Sequence, residues 1–173
     1  MVDPMNNISQ MGLKPTDHVA DFGAGSGAYT IPMARIVNGG KVYAIEVLKD
    51  LLIRIENDAK KMNLTNIEYI WGDIESPGGT KLADSAIDYV VIANVLFQDS
   101  DKAGLGREAK RILKPGGKVM LIDWKDSFGG LGPQSTSIVS EESAKSIFAS
   151  AGFVFEKNIS AGEHHYGMIL KKQ

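Results

Sequence analysis

Glycines at positions 23, 25 and 27 form the part of this sequence whose residue types point most directly to chemistry. They belong to the run Asp21 to Gly27, which follows a short apolar stretch and precedes a helical pattern. Glycine removes side chains where the backbone turns sharply, so a ligand can approach the main chain closely. The run is open to two simpler interpretations. It could be a tight turn without a ligand, or the dinucleotide pattern G-x-G-x-x-G/A, which Gly23, Gly25 and Ala28 satisfy.

Two carboxylates help to separate the possible ligands. Asp21 lies at the predicted strand end beside the turn, where it would repel a pyrophosphate but attract the ammonium group of an amino acid. It therefore favours a cofactor that carries methionine. Glu46 lies near the end of the second predicted strand, where an acidic acceptor can hold the two hydroxyls of a ribose. Glu46 fits a dinucleotide and a methionine-bearing nucleoside equally well.

The size and composition of the chain limit the remaining possibilities. With 173 residues and 43% hydrophobic content, the sequence predicts a single domain over residues 1–173, including a short N-terminal cap segment of about residues 1–17. The net charge of -2 disfavours a nucleic-acid partner. The absence of cysteine excludes disulfides, thiolate metal sites and cysteine nucleophiles. We expect a cytoplasmic protein, since the sequence lacks a signal-like start and an apolar run long enough to cross a membrane.

Short apolar runs alternate with helical patterns along the first two thirds of the chain, as parallel strands with helical crossovers do. The sequence therefore predicts an α/β fold with a Rossmann-like, doubly wound sheet. Predicted strands cover residues 18–22, 41–47, 66–71, 87–93 and 118–123, and predicted helices cover 29–37, 48–62, 102–113 and, after a Ser140 cap, the stretch to 151. A turn at 114–117 is expected to separate the third of these helices from the fifth strand.

The last two predicted strands, 153–159 and 165–171, are joined by a loop too short for a parallel crossover. They predict an antiparallel hairpin, which brings the sheet to seven strands that are mostly parallel. The stretch from 127 to 137, rich in glycine, proline and serine, is a long candidate loop. It could act as a lid over the site or simply connect two elements.

Five segments in this order resemble the class I S-adenosylmethionine-dependent methyltransferases, and among them the group of ubiquinone and menaquinone biosynthesis methyltransferases. The resemblance covers about residues 12–153, and the C-terminal hairpin is also similar to the last two strands of that family. The segments are Asp21 to Gly27, Glu46, Gly72 to Ile74, Asp88 to Asn94, and Leu113 to Lys118.

The resemblance implies S-adenosylmethionine as the cofactor and S-adenosylhomocysteine as its product. It places the methionine moiety against the glycine turn, the ribose hydroxyls at Glu46, the adenine face at Val47 and Leu48, and the adenine amino group at Asp73. Asn94 would line the reactive side. The cofactor-binding residues implied are Asp21, Phe22, Gly23, Ala24, Gly25, Gly27, Glu46, Val47, Leu48, Gly72, Asp73, Ile74 and Asn94.

Residues after the fourth and fifth strands are the candidates for the acceptor side. Asn94, Phe97, Asp123 and Trp124 are the catalytic candidates, with Gln98 and Asp99 beside them. Phe97 and Trp124 could form an apolar wall or simply fill core contacts. For His164 and His165, a surface or edge-strand position is favoured over a catalytic one. No metal site is expected, because a carboxylate cluster cannot be assembled from Asp99, Asp101 and Asp123.

The acceptor itself is expected to be a small molecule. Many relatives have a longer N-terminal helical cap, so this pocket is either open, or completed by residues 125–137 or by a second subunit in a homo-oligomer. Two rival functions remain, a cofactor-binding regulatory or scaffold protein without turnover and an NAD-dependent dehydrogenase. The residues 93–97 lack the Asn/Asp-Pro-Pro-aromatic pattern typical of base-amine methylation, which argues against nucleic-acid bases as substrates.

Overall fold

The computed structural model describes residues 2–98 and 100–173, which form five α-helices and seven strands. The strands are β1 (His18–Phe22), β2 (Lys41–Glu46), β3 (Ile67–Trp71), β4 (Ile87–Ala93), β5 (Leu113–Trp124), β6 (Phe153–Asn158) and β7 (His165–Lys172). The helices are α1 (Pro4–Ser9), α2 (Thr30–Ile36), α3 (Lys49–Lys61), α4 (Lys102–Ile112) and α5 (Glu141–Ser150), with a 3-10 turn at Ser135–Ser137.

All seven strands belong to one sheet with the order β3-β2-β1-β4-β5-β7-β6. The first five are parallel, and β7 is antiparallel to both β5 and β6. This arrangement confirms the predicted fold class and the antiparallel hairpin. The strand order reverses between β1 and β4, and in open α/β sheets such a reversal leaves a crevice at the carboxyl ends of the strands.

Each face of the sheet is covered by helices, because its strands carry apolar residues on both sides. Phe22 and Ile92 pack on one face with Leu105 of α4 and Phe148 of α5. The other face is covered by α1, α2 and α3, whose packing residues include Ile8, Met33 and Ile55. The sheet is therefore doubly wound, and the strand ends are held rigidly for the loops that follow them.

The start of the fifth strand was predicted wrongly. The turn at 114–117 does not precede β5 but lies within it, since α4 ends at Ile112 and Leu113 already pairs with Ile87 of β4. The register then shifts, so that Lys118 pairs with Tyr89, and Gly116 takes a positive φ of 74° in the resulting bulge. Pro115 and the glycines thus bend a strand instead of only ending a helix.

The segment before β1 contains the short helix α1, which the sequence pattern did not predict. Pro4 occupies its first turn, and the Asp3 carboxylate accepts a hydrogen bond from the Asn6 N–H at 3.1 Å. Ile8 is buried against the same cluster as Met33 of α2. Residues 2–17 therefore pack on the sheet instead of extending away from it.

The expectation that His164 and His165 lie on a surface or an edge strand is wrong for His165. β7 lies between β5 and β6, so neither of its sides is an edge of the sheet. His165 pairs with Trp124 and is only 6% exposed, whereas His164 is half-buried. The short hairpin loop suggested an edge, but the strand pairing with β5 is a long-range contact that local sequence does not reveal.

The central strand β4 should determine much of the stability. Ile92 is fully buried between β1 and β5, so Ile92→Ala should lower the free energy of unfolding by about 2–5 kcal/mol, because it leaves a cavity in the core. Ile53→Ala in α3 is the control, since Ile53 is 54% exposed and its loss should change stability by about 0.5 kcal/mol or less. Urea denaturation followed by circular dichroism measures both. Equal losses for the two variants would contradict the assignment of the core.

Candidate functional site

A cleft of about 590 Å³ opens at the carboxyl ends of β1, β2 and β4, where the strand order reverses. Its walls come from the turn after β1, the start of α3, the loop after β3 and the turn after β4. Most of the cofactor residues implied by the sequence lie around it, although they come from four separate segments. These are Asp21, Gly23, Ala24, Gly25, Glu46, Val47, Leu48, Gly72, Asp73, Ile74 and Asn94.

Two other predicted residues, Phe22 and Gly27, do not line the cleft. Phe22 is fully buried in the core on the α4 and α5 side of the sheet. Gly27 lies against Ile55 of α3, where a Cβ would come within 3.0 Å of the Ile55 side chain. Both residues therefore pack the turn against the rest of the protein instead of facing the cleft. The cleft is also lined by Tyr29 and Glu75, which were not predicted from the sequence. Tyr29 lies two residues after the glycine turn, and Glu75 directly follows Ile74.

The turn between β1 and α2 depends on glycine geometry. Gly23, Gly25 and Gly27 have positive φ angles of 69°, 54° and 82°, a region that side chains disfavour. The N–H groups of Gly23 and Ala24 donate to the Ile45 carbonyl of β2, both at 3.0 Å. A Cβ on Gly23 would lie 3.1 Å from the Val95 side chain. The turn is thus fixed to β2 and leaves bare backbone facing the cleft.

Glu46 links this turn to the next strand end. It is 8% exposed, and its Oε2 accepts the Gly25 N–H at 3.0 Å. Its Oε1 accepts the N–H groups of Val47 at 2.9 Å and Leu48 at 3.1 Å. Each carboxylate oxygen can accept more than one hydrogen bond, so the oriented carboxylate can also receive ligand hydroxyls.

Asp21 is buried at the end of β1 and is 3% exposed. The Thr30 hydroxyl of α2 donates to its Oδ2 at 2.6 Å. Burial raises the pKa of Asp21 to about 6, and the nearby Glu46 charge adds to that rise, while the bond from Thr30 opposes it. A buried carboxylate that lacks a cationic partner is stabilised if a positively charged ligand binds beside it.

The loop after β3 is organised around Asp73. Its Oδ1 accepts the Glu75 N–H at 2.9 Å and its Oδ2 accepts the Ser76 hydroxyl at 2.6 Å, and these bonds lower the pKa of Asp73. The Ser76 bond is the larger cause. Asp73 therefore stays ionised, with its carboxylate already oriented by the loop.

A buried carboxylate from α4 supports the same loop from below. Glu108 is 2% exposed, and it accepts the Gly78 N–H at 3.0 Å and the Thr80 hydroxyl at 2.7 Å. Burial opposes its ionisation, but hydrogen bonds from Arg111 and Thr80 outweigh burial and lower the pKa of Glu108 to about 2. Glu108 lies about thirty residues away in sequence from the loop it holds, so sequence reasoning missed it.

The turn after β4 is held by a predicted catalytic candidate. Asp123 of β5 has no exposed surface, and its Oδ2 accepts the Leu96 N–H while its Oδ1 accepts the Trp124 N–H, both at 2.8 Å. Burial raises the pKa of Asp123 to about 6 despite these bonds. Asp123 does not line the cleft. Its hydrogen bond from the Leu96 N–H instead holds the turn that carries Asn94.

The other acceptor-side candidates lie at the same end of the sheet. Asn94 lines the cleft with a positive φ of 58°, and its carbonyl accepts the Gln98 side-chain amide at 3.0 Å. Phe97 is half-buried in that turn, and Trp124 packs its ring 4.1 Å from the His165 ring. Asp99 lies outside the described residues.

The charges around the cleft have one sign. Asp21, Glu46, Asp73 and Glu75 line it, and the described lining contains no lysine, arginine or histidine. Such a lining attracts a cation and repels the two charges of a pyrophosphate. The described parts of the chain also contain no group of three or more histidine, cysteine or acidic residues able to hold a metal ion. In residues 2–98 and 100–173, no helix is both long and apolar enough to span a bilayer.

The chain is similar to known methyltransferases in both sequence and structure. Residues 13–167 match the family described as a methyltransferase domain. Among solved structures, the S-adenosylmethionine-dependent methyltransferase from Aquifex aeolicus is similar with a TM-score of 0.89 and 26% identity. That similarity covers 99% of this chain and 90% of the Aquifex chain.

Curated relatives resemble part of this chain only. An arsenite methyltransferase from Aquipseudomonas alcaligenes is 31% identical over 110 residues, covering 61% of this chain and 32% of that protein. A demethylmenaquinone methyltransferase from Geobacillus sp. is 28% identical over 119 residues, covering 68% of this chain and 50% of that protein. The chain therefore spans half or less of the length of these two relatives.

The raised pKa of Asp21 predicts a stability effect. At pH 8 the folded protein holds a buried charge, so Asp21→Asn should raise the free energy of unfolding by about 1–3 kcal/mol. As pH falls from 6 towards 4, the folded wild type takes up a proton that the unfolded chain does not, so the wild type gains stability and the difference shrinks. The asparagine carbonyl can still accept the Thr30 bond.

Thermal unfolding at pH 8 and pH 5 measures this difference. Asp50→Asn is the control, because Asp50 is exposed in the first turn of α3, where its loss should slightly lower stability. A lower melting temperature for Asp21→Asn than for the wild type at pH 8 would show that the ionised carboxylate stabilises the fold.

Proposed function

Because the chain belongs to the class I S-adenosylmethionine-dependent methyltransferase family, we propose that it transfers the methyl group of S-adenosylmethionine to a small molecule. The observation that carries the proposal is the cleft itself, in which a glycine turn lies among four carboxylates. S-adenosylmethionine carries a sulfonium, an ammonium and one carboxylate, so its net charge is positive. A dinucleotide carries a negatively charged pyrophosphate, which the same lining would repel. The dehydrogenase alternative is therefore disfavoured.

The residues of the cleft fit the parts of this cofactor. The positive-φ turn at Gly23 and Gly25 would hold the methionine moiety, since a Cβ at Gly23 would crowd Val95 and narrow the cradle. Asp21 beneath it would stabilise the ammonium group, directly or through water. Glu46 would accept the ribose hydroxyls, with its carboxylate oriented by three backbone N–H groups.

The adenine would lie between the start of α3 and the loop after β3. Val47 and Leu48 are 55% and 59% exposed at this end of the cleft, where they offer apolar contact to one face of the base. Asp73 would accept from the amino group, and Ile74 would offer its backbone N–H. Glu108 would act as a positioning residue, because it holds the far side of that loop.

Methyl transfer from a sulfonium has no obligatory acid or base catalyst, although a hydroxyl acceptor would gain from a base. The positive sulfur of the cofactor makes the methyl group reactive, so an in-line displacement can proceed once the acceptor is aligned. The contribution of this chain would be to fix the cleft, exclude water and orient the acceptor near Asn94, which lies at the mouth of the turn after β4. The substrates named for the relatives are not carried over, and an arsenite substrate in particular lacks support in a chain without cysteine.

Replacing a glycine of the turn tests the proposal. Gly25→Val should weaken binding of S-adenosylmethionine by about tenfold or more (~1.4 kcal/mol), since a β-branched residue at a φ of 54° distorts the turn and takes ligand space. Gly129→Val is the matched control, because Gly129 has a φ of 55° and open space around it but lies outside the cleft. It should bind within about twofold of the wild type (~0.4 kcal/mol).

Isothermal titration calorimetry measures these affinities, with circular dichroism to confirm folding. Wild-type protein that fails to bind S-adenosylmethionine or S-adenosylhomocysteine at submillimolar concentration would contradict the proposal. Equal affinities for the wild type and Gly25→Val would contradict the placement of the methionine moiety at the turn.

A further inference from the structure

Trp71 is a large aromatic residue at an exposed position. It is the last residue of β3, which is an edge strand of the sheet, and it is 52% exposed. Burial in the core therefore does not explain a tryptophan here. The indole N–H is the one polar group of this side chain, and it usually has a hydrogen-bond partner. The contacts of the indole indicate a role in the neighbouring cleft.

The indole is fixed to residues 47–49, which we name the β2–α3 link. The Nε1–H of Trp71 donates to the Val47 carbonyl at 2.9 Å. The ammonium group of Lys49 lies 3.7 Å from the centroid of the ring, which is a cation–π contact. The side chain of Trp71 thus contacts the link at its first and last residues.

The main chain of Trp71 belongs to the opposite wall of the same part of the cleft. Gly72, Asp73 and Ile74 follow it directly, and all three line the cleft. Lys81, ten residues further along the same loop, donates its ammonium group to the Trp71 carbonyl. Trp71 is therefore attached to the loop after β3 through its main chain and to the β2–α3 link through its indole.

The spacing of these two walls is not controlled by the sheet alone. Glu46 and Trp71 are the last residues of β2 and β3, and they pair with each other, so the strand pairing ends at this point. Beyond it, a backbone bond from the Gly72 N–H to the Glu46 carbonyl at 3.2 Å still joins the two segments. The indole bond to Val47 adds a second connection, one residue further towards the cleft.

We propose that Trp71 is a positioning residue that sets the width of the adenine end of the cleft. The inference rests on the proposed function, in which adenine lies between the β2–α3 link and the loop after β3. Trp71 does not line the cleft, so it acts through Val47 and the loop. A base that rests against Val47 and Leu48 can donate its amino group to Asp73 only if the two walls keep their separation.

S-adenosylhomocysteine and S-inosylhomocysteine are matched probes for this role. The second has a carbonyl oxygen in place of the amino group and an N–H at the neighbouring ring nitrogen. That oxygen would face the Asp73 carboxylate, and that N–H would face the Ile74 N–H, so neither pair could form a hydrogen bond. The wild type should therefore bind S-adenosylhomocysteine about tenfold or more tightly than S-inosylhomocysteine. Isothermal titration calorimetry on the full chain measures both affinities.

Trp71→Phe keeps an aromatic ring for Lys49 but removes the indole N–H. The affinity for S-adenosylhomocysteine should fall about three- to tenfold, the effect of one hydrogen bond. The preference over S-inosylhomocysteine should fall by a similar factor, because the base is no longer held in reach of Asp73. The melting temperature should stay close to that of the wild type, since the ring is half exposed.

Phe155→Leu is the matched control. Phe155 is also a partly exposed aromatic residue, 42% exposed, and the Lys145 ammonium group lies 4.2 Å from its ring centroid. It belongs to β6, which forms the opposite edge of the sheet. Phe155→Leu should therefore leave both affinities within about twofold of the wild type.

The outcomes distinguish this inference from the proposed function. A wild type that binds S-adenosylhomocysteine, together with an unchanged preference in Trp71→Phe, would overturn the role of Trp71 alone. Equal weakening of both probes with a clearly lower melting temperature would also overturn it, since Trp71 would then only support the fold. A wild type that binds neither probe would overturn the proposed function, and the role of Trp71 with it.

Discussion

The hydrogen bonds that Glu46 accepts hold the candidate site together. One carboxylate oxygen receives the Gly25 N–H from the turn after β1, and the other receives the N–H groups that open α3. These groups come from two separate segments, the turn after β1 and the start of α3. Because the turn has little side-chain packing of its own, its position relative to β2 depends on this carboxylate and on the bonds to the Ile45 carbonyl. The same residue is thus a support in the free protein and a ligand for hydroxyl groups in the proposed complex.

The buried carboxylates around the cleft lower the stability of the free protein, but they favour a cationic ligand over an anionic one. Asp21 and Glu46 are both almost fully buried, and burial together with the Glu46 charge raises the pKa of Asp21. The rest of the fold can offset this cost, because β1 and β4 are mostly buried strands packed between two layers of helices. Unfavourable groups are therefore concentrated where a ligand would satisfy them.

Much of the fold was predictable, because its signals are local. Apolar runs, glycine turns and the short hairpin loop follow from neighbouring residues, and they located β1, β4 and the antiparallel pair. The proposed cofactor residues could be named because the motifs that resemble the family are local too, and each of these residues lies in the last two positions of a strand or in the turn after it. Residues whose position depends on distant parts of the chain could not be found this way. Glu108 supports a loop about thirty residues away, and β7 inserts between β5 and β6, which buries His165. The early start of β5 likewise depends on the pairing of Leu113 with Ile87.

The central claim is that an acidic cleft selects a cationic nucleoside cofactor. The most direct measurement is a pair of calorimetric titrations of the wild-type protein, with S-adenosylmethionine and with NAD, at the same pH and salt concentration. The account predicts submillimolar binding of S-adenosylmethionine and affinity for NAD weaker by about a hundredfold or more (~2.7 kcal/mol). Tighter binding of NAD than of S-adenosylmethionine would contradict it, because the four carboxylates would then not determine which cofactor the cleft accepts.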